Sequence, residues 1–139
     1  MQYAKTSDTY VVRLETGEEI VQAVTRLAEA ERIDTGSVSG IGSVSRAVLG
    51  YYDLSARQYV RNTVEEDCEI VSLAGNIAIK EGRAFPHLHV TLGTRSFQAL
   101  AGHLFEGRVG ATCEILVRAL PGMVQRHQDQ ASGLWLLDP

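Results

Sequence analysis

The sequence predicts an α+β domain in which one long amphipathic helix packs on a β-sheet. Two observations lead there. A Thr-x-x-Glu pattern introduces helical periodicity near the N-terminus, and from Gly36 onward the chain turns to β-branched and aromatic residues punctuated by glycine. The length, 139 residues, fits one domain over residues 1–139. Such a domain buries roughly two thirds of its unfolded surface, enough for a core that needs neither a metal nor a disulfide.

In chain order, a short lead precedes a first or edge strand from Thr9 to Leu14. Thr16-Gly17-Glu18-Glu19 then matches a capping box, with Thr16 as the cap. Beyond it Ile20, Val24, Leu27 and Ala28 recur at helical spacing, while Glu19, Gln22, Arg26 and Glu29 take the opposite face. Strands are expected at Gly36 to Ile41, Ser43 to Asp53, Tyr59 to Val64, Glu69 to Ile79, Pro86 to Leu92, Phe97 to Leu104 and Thr112 to Arg118. A last one is expected at Gly133 to Leu137. Phe105-Glu106-Gly107-Arg108 and Pro121-Gly122 read as turns, and Gln125 to Gln130 as a polar tail in which His127 is solvated. No repeat, low-complexity tract or linker interrupts the chain.

Composition narrows the function classes. With 45% hydrophobic and 22% charged residues the chain has the balance of a soluble globule, and its apolar runs are too short to span a bilayer. The first residues lack the basic stretch and apolar run of a secretory signal, so the expected location is the cytoplasm. Cys68 and Cys113 have no CxxC companion and read as buried small hydrophobes. A net charge of −4, with two lysines and eleven scattered arginines, is a poor footprint for nucleic acid, whose affinity comes from neutralised phosphates.

The sharpest chemical signal is the histidine pattern. Three of four histidines, His87, His89 and His103, fall within seventeen residues. Alternate strand residues share a face, so His87 and His89 point the same way. A three-residue loop at Thr94-Arg95-Ser96 would set His87 opposite His103 and bring all three imidazoles together, whereas a slip of one residue would send His103 to the other face. Three imidazoles plus an open position form a common zinc arrangement, and nickel, cobalt, copper or iron also accept them. The competing reading is three strand histidines that satisfy backbone groups or line a subunit contact.

Other constellations are weaker. Glu106 is the acid nearest in sequence to the histidines and would be the base for a metal-activated water, although a solvated turn is the commoner fate of such a residue. No nucleophile has an identifiable base, and catalytic residues are unknown. Ser39 to Ser45, with Gly40, Gly42 and Ser43, loosely fits an anion cradle of backbone N–H groups. Leu73 to Ala78, with Gly75 and Asn76, is a second small-residue run. Both more often mark a tight turn, a bulge or close backbone packing, and both could rim a pocket beside the histidines.

Taken in order, Gly40-Ile41-Gly42-Ser43, Glu69 to Ile77, Pro86-His87-Leu88-His89-Val90-Thr91-Leu92 and Gly102-His103-Leu104 resemble the PPC domain, the plant and prokaryote conserved domain. The likeness runs from about Tyr10 to about Leu137. It implies a compact α+β domain with a mainly antiparallel sheet, assembled as a homotrimer. It also implies a metal site, usually taken as zinc, in prokaryotic members that keep the histidines, a role that falls here on His87, His89 and His103. Plant members carry an AT-hook, an Arg-Gly-Arg-Pro arm for the DNA minor groove, and prokaryotic relatives are described as putative DNA-binding proteins by analogy. This chain has no such arm.

The expected function is therefore recognition of a protein partner or small ligand by a trimeric protein holding one divalent transition metal per chain, zinc favoured. Two alternatives follow from the same residues. One is a metal-dependent hydrolase or lyase acting on a small anion, with backbone donors from Gly40, Gly42 and Ser43. The other is direct DNA binding through a stripe of Arg46, Arg57, Arg61 and Arg118.

Overall fold

The computed structural model describes residues Met1–Pro139. Its elements are β1 (Gln2–Thr6), β2 (Thr9–Glu15), α1 (Ile20–Glu31), β3 (Gly36–Asp53), β4 (Gln58–Val64), β5 (Cys68–Lys80), β6 (Arg83–Gly93), β7 (Ala99–Ala119), β8 (Gln125–Gln128) and β9 (Trp135–Asp138). All nine strands belong to one sheet, antiparallel except for a single parallel bridge between Ile79 and Gln125. Four of them close on themselves, because β3 pairs β5, β5 pairs β6, β6 pairs β7 and β7 returns to β3. The closure puts β6 and the start of β7 side by side, and those strands carry the histidines. No helix is long and apolar enough to cross a membrane.

The long strands bend at bulges rather than breaking. The two segments expected on either side of Gly42 are one strand, β3, whose register to β7 shifts between Gly42 and Val44 and again beyond it. Gly42 has φ +151°, and a Cβ there would run into the Thr112 carbonyl, so glycine is required where the strand bends. The turn expected at Phe105 to Arg108 is likewise absent. Glu106, Gly107 and Arg108 pair with Val48, Ala47 and Arg46 inside β7. Gly107 has a packing role, since a Cβ there would sit 3.1 Å from Ile20 of the helix.

Helix α1 keeps its expected apolar stripe, with Ile20, Ala23, Val24, Leu27 and Ala28 buried. At 12 residues it is of ordinary rather than long extent. Alone it would be marginal, so its stability comes from that stripe against β6 and β7. The cap is Glu19, not Thr16. The Glu19 carboxylate accepts from Val21 N at 3.1 Å, Gln22 N at 2.7 Å and Gly107 N at 2.9 Å, whereas the Thr16 hydroxyl donates to the Ala111 carbonyl at 3.2 Å. Tertiary contact chose the cap. An N-cap of this kind contributes about 1 kcal/mol.

The core joins α1 to the inner faces of β2, β3, β5, β6 and β7 through 26 buried residues, enough to define the fold without help from the histidines. Cys68 and Cys113 are free and buried, as expected, and burial pushes the Cys113 thiol up to about 12. Two strands went unread in the sequence. β1 is exposed along its whole length, so it has no apolar alternation to detect. β8 is short and polar, and it pairs with β9 through Gln125↔Asp138 to Gln128↔Trp135.

Candidate metal centre and adjoining cavity

His87 and His89 lie two apart on β6, and His103 lies on β7. The observed register pairs His89, not His87, with His103. Five residues, Thr94 to Gln98, separate the paired Gly93 and Ala99, and the loop closes through Thr94 N to Gln98 O at 2.9 Å and Phe97 N to Thr94 O at 2.9 Å. The expected three-residue loop was thus too short by two. A two-residue change preserves the face of every side chain, so the imidazoles still converge.

Their ring centroids are 5.0 to 5.5 Å apart. One nitrogen from each lies within 4.8 Å of the others, and the Nε2 atoms of His87 and His89 are 3.2 Å apart. Nitrogens around a tetrahedral zinc ion stand about 3.3 Å apart. Nδ1 of His103 is buried with no hydrogen-bond partner, which is the kind of vacancy in bonding that a coordinating cation satisfies. The residues present therefore fit a divalent metal, which His87, His89 and His103 would hold. Phe105 packs on the His103 ring at 4.6 Å and Tyr59 at 5.2 Å, fixing its plane.

Burial, aided by the charge of Arg126, lowers His87 to about 4, and burial with the neighbouring imidazoles lowers His103 to about 4. Both are neutral at pH 7, the form that binds metals. Unfolded, they protonate near 6.5. As pH falls below that value the unfolded chain takes up protons that the folded chain refuses, so stability is lost progressively until the folded residues protonate near 4. Thermal melts of metal-free protein should therefore fall more steeply between pH 6.5 and 4 than those of a His87→Gln/His103→Gln variant. Equal slopes in that window would contradict the burial argument.

Behind His87 stands Arg126, from the polar segment Gln125 to Gln130. The residue is buried, at 5% exposure. Nη2 donates to Asn76 Oδ1 at 2.6 Å and lies 3.4 Å from His87 Nδ1, while Nη1 donates to the Trp135 carbonyl at 2.9 Å. Asn76 is the cross-strand partner of His87, so β5, β6 and β8 meet at this point. A cavity of about 740 Å³ opens beside His87 and His103. Its aromatic wall is Tyr52, Tyr59, Phe85, Phe105 and Trp135, and Arg57, Lys80 and Arg126 supply positive charge.

The other sequence candidates disperse. Asn76 lines this cavity. Ser43 lines a separate depression of about 680 Å³ bordered by Gly17 and Arg108, and its hydroxyl accepts from Ala111 N at 2.9 Å. Gly40 packs against the Glu114 carbonyl, where a Cβ would be 2.8 Å away, and Gly75 against the backbone of His87. Glu106 is exposed and paired with Arg46 at 2.9 Å, and no Asp or Glu lines the cavity. His127 is exposed, 3.2 Å from Asp138. Arg126 and Trp135 were the residues that sequence reasoning missed. Only a lone arginine in the polar tail and a lone tryptophan in the expected last strand signalled them.

Solved structures extend the picture. A putative DNA-binding protein from Bacteroides thetaiotaomicron superposes with TM-score 0.96 at 30% identity, covering 99% of this chain and 96% of that one. A putative DNA-binding protein from Ralstonia eutropha matches with TM-score 0.92 at 34% identity, covering 99% and 95%. A protein from Archaeoglobus fulgidus described as metal-containing matches with TM-score 0.89 at 34% identity, covering 99% and 96%. No curated protein matches the chain. The family model covers residues 1–121, so Arg126 and Trp135 lie beyond the matched span. With its ring of antiparallel strands, its histidine cluster and a family match along most of its length, the chain belongs to the Plants and Prokaryotes Conserved (PCC) domain family.

Proposed function

We propose that His87, His89 and His103 bind one divalent transition-metal ion per chain, zinc favoured, and that the protein acts as a homotrimer in recognising a small ligand at the adjoining cavity. The observation that carries this reading is three convergent imidazole nitrogens within 4.8 Å at the edge of a cavity of about 740 Å³. Three protein ligands leave a coordination position open to a ligand. The metal-containing description of the Archaeoglobus fulgidus relative supports it. Trimer formation finds support in Tyr51 and Val60, paired across β3 and the edge strand β4 with both side chains exposed. Elemental analysis of the purified protein tests the metal, with about one ion per chain expected. A protein that arrives metal-free and takes up no added zinc overturns it.

DNA binding is the reading that two relatives' descriptions favour. In this chain the arginines that would form a stripe are engaged elsewhere. Arg46 pairs with Glu65 and Glu106, Arg118 pairs with Asp8, Arg61 lies over the Phe105 ring, and Arg57 lines the cavity. Fluorescence anisotropy with duplex DNA at about 50 mM salt should show no binding, because the net charge is −4 and Arg46 and Arg118 of the stripe are already paired with carboxylates. Affinity that falls steeply with added salt would move the function to DNA. The hydrolase or lyase reading has no carboxylate base in the cavity.

A further inference from the structure

Arg126 is a buried cation without an anion. Its polar contacts are the Trp135 carbonyl, the Asn76 amide oxygen and the His87 ring, all neutral groups. Its Nε is buried with no partner at all. A guanidinium so placed carries a desolvation cost that its neutral partners and the Phe85 ring, 5.6 Å from its Cζ, offset in part and a counter-charge offsets further, and its planar fork matches a carboxylate. The cavity it faces holds two further cations, Arg57 and Lys80, and no acid. The walls are equally selective, since five of the nine aromatic residues in the chain, Tyr52, Tyr59, Phe85, Phe105 and Trp135, line this one space. Its volume of about 740 Å³ suits a small organic molecule.

We propose that the cavity binds an aromatic monocarboxylate, with the carboxylate held by Arg126 at the histidine end and the ring against the aromatic wall. This deepens the ligand-recognition reading and rests on it. Arg126 Nη2 lies 3.4 Å from His87 Nδ1, whereas the nitrogen of His87 that faces His89 is Nε2, so the carboxylate pairs with the guanidinium beside the histidine cluster. Asn76 and the Trp135 carbonyl act as positioning groups that hold the fork in place.

Trp135 is the only tryptophan in the chain, so its fluorescence reports directly on the cavity. Phenylacetate, its neutral counterpart phenylacetamide, and acetate would be titrated into zinc-loaded and chelator-treated protein. Phenylacetate should perturb Trp135 saturably and bind at least about tenfold more tightly than either comparison compound, as expected when an ionic hydrogen bond is added or removed. Arg126→Gln should lose the preference for acid over amide while retaining its zinc. Equal affinity for acid and amide in the wild-type protein, no response of Trp135, or an undiminished preference in Arg126→Gln would each overturn the proposal. The acid–amide comparison needs no variant, so it holds even if Arg126→Gln folds poorly. A protein that binds no zinc yet prefers the acid through Arg126 upholds the carboxylate site and removes the metal reading. Zinc binding without acid preference does the reverse.

Discussion

Replacing His87 and His89 together with alanine will yield protein that carries no transition metal after purification, yet elutes as the same assembly as wild type. Removing two of the three proposed ligands leaves a single imidazole, and the loss in zinc affinity should exceed the roughly 10–100-fold that changes beyond the ligands themselves cause. The fold should survive because neither residue belongs to the buried core, which joins α1 to the sheet through other side chains. Metal content by mass spectrometry, circular dichroism melts and light scattering provide the three readouts. Metal lost together with folding would make the ion structural and would remove the basis for ligand recognition.

The second large effect is expected at Gly75→Ala. Gly75 pairs with Leu88 where β5 passes β6, and a methyl group there would overlap the carbonyl of His87. Backbone cannot rotate out of the way as a side chain can, so the strands must separate locally. Overpacking of this kind destabilises by about 3 kcal/mol, and the displaced backbone is that of a metal-binding candidate. Urea unfolding of the metal-free variant should show the stability loss, and a zinc titration should show affinity at least about tenfold weaker, since a displacement near 1 Å degrades a preorganised site. A neutral result would mean that Gly75 does not face the His87 carbonyl, and the register of the two strands would need revision.

Legibility in the sequence followed the reach of each interaction. The stripe Ile20, Val24, Leu27 and Ala28 was readable because a helix brings residues three and four apart together. His87 and His89 were readable as a pair because a strand alternates faces regardless of its partners. The loop between β6 and β7 was misjudged by two residues because Thr94 to Gln98 contains no Asn-Gly or Asp-Gly pair to specify a short turn. Parity, not loop length, decided the face, so the histidine cluster survived that error. The turn expected at Glu106-Gly107 failed for a different reason. Gly107 is small to admit the helix, and composition cannot distinguish that use from a turn.

By itself, then, the sequence determined the helix stripe, the strand alternation, the buried cysteines and the shared face of the β6 histidines, all consequences of neighbours along the chain. The tertiary structure alone decided that Glu19 caps the helix, that His103 stands across from His89, and that β8 carries Arg126 to within 3.4 Å of His87, 39 residues away in sequence. Such contacts depend on where bulged strands close into a ring. That path is set by the packing of the whole core, which no local pattern encodes.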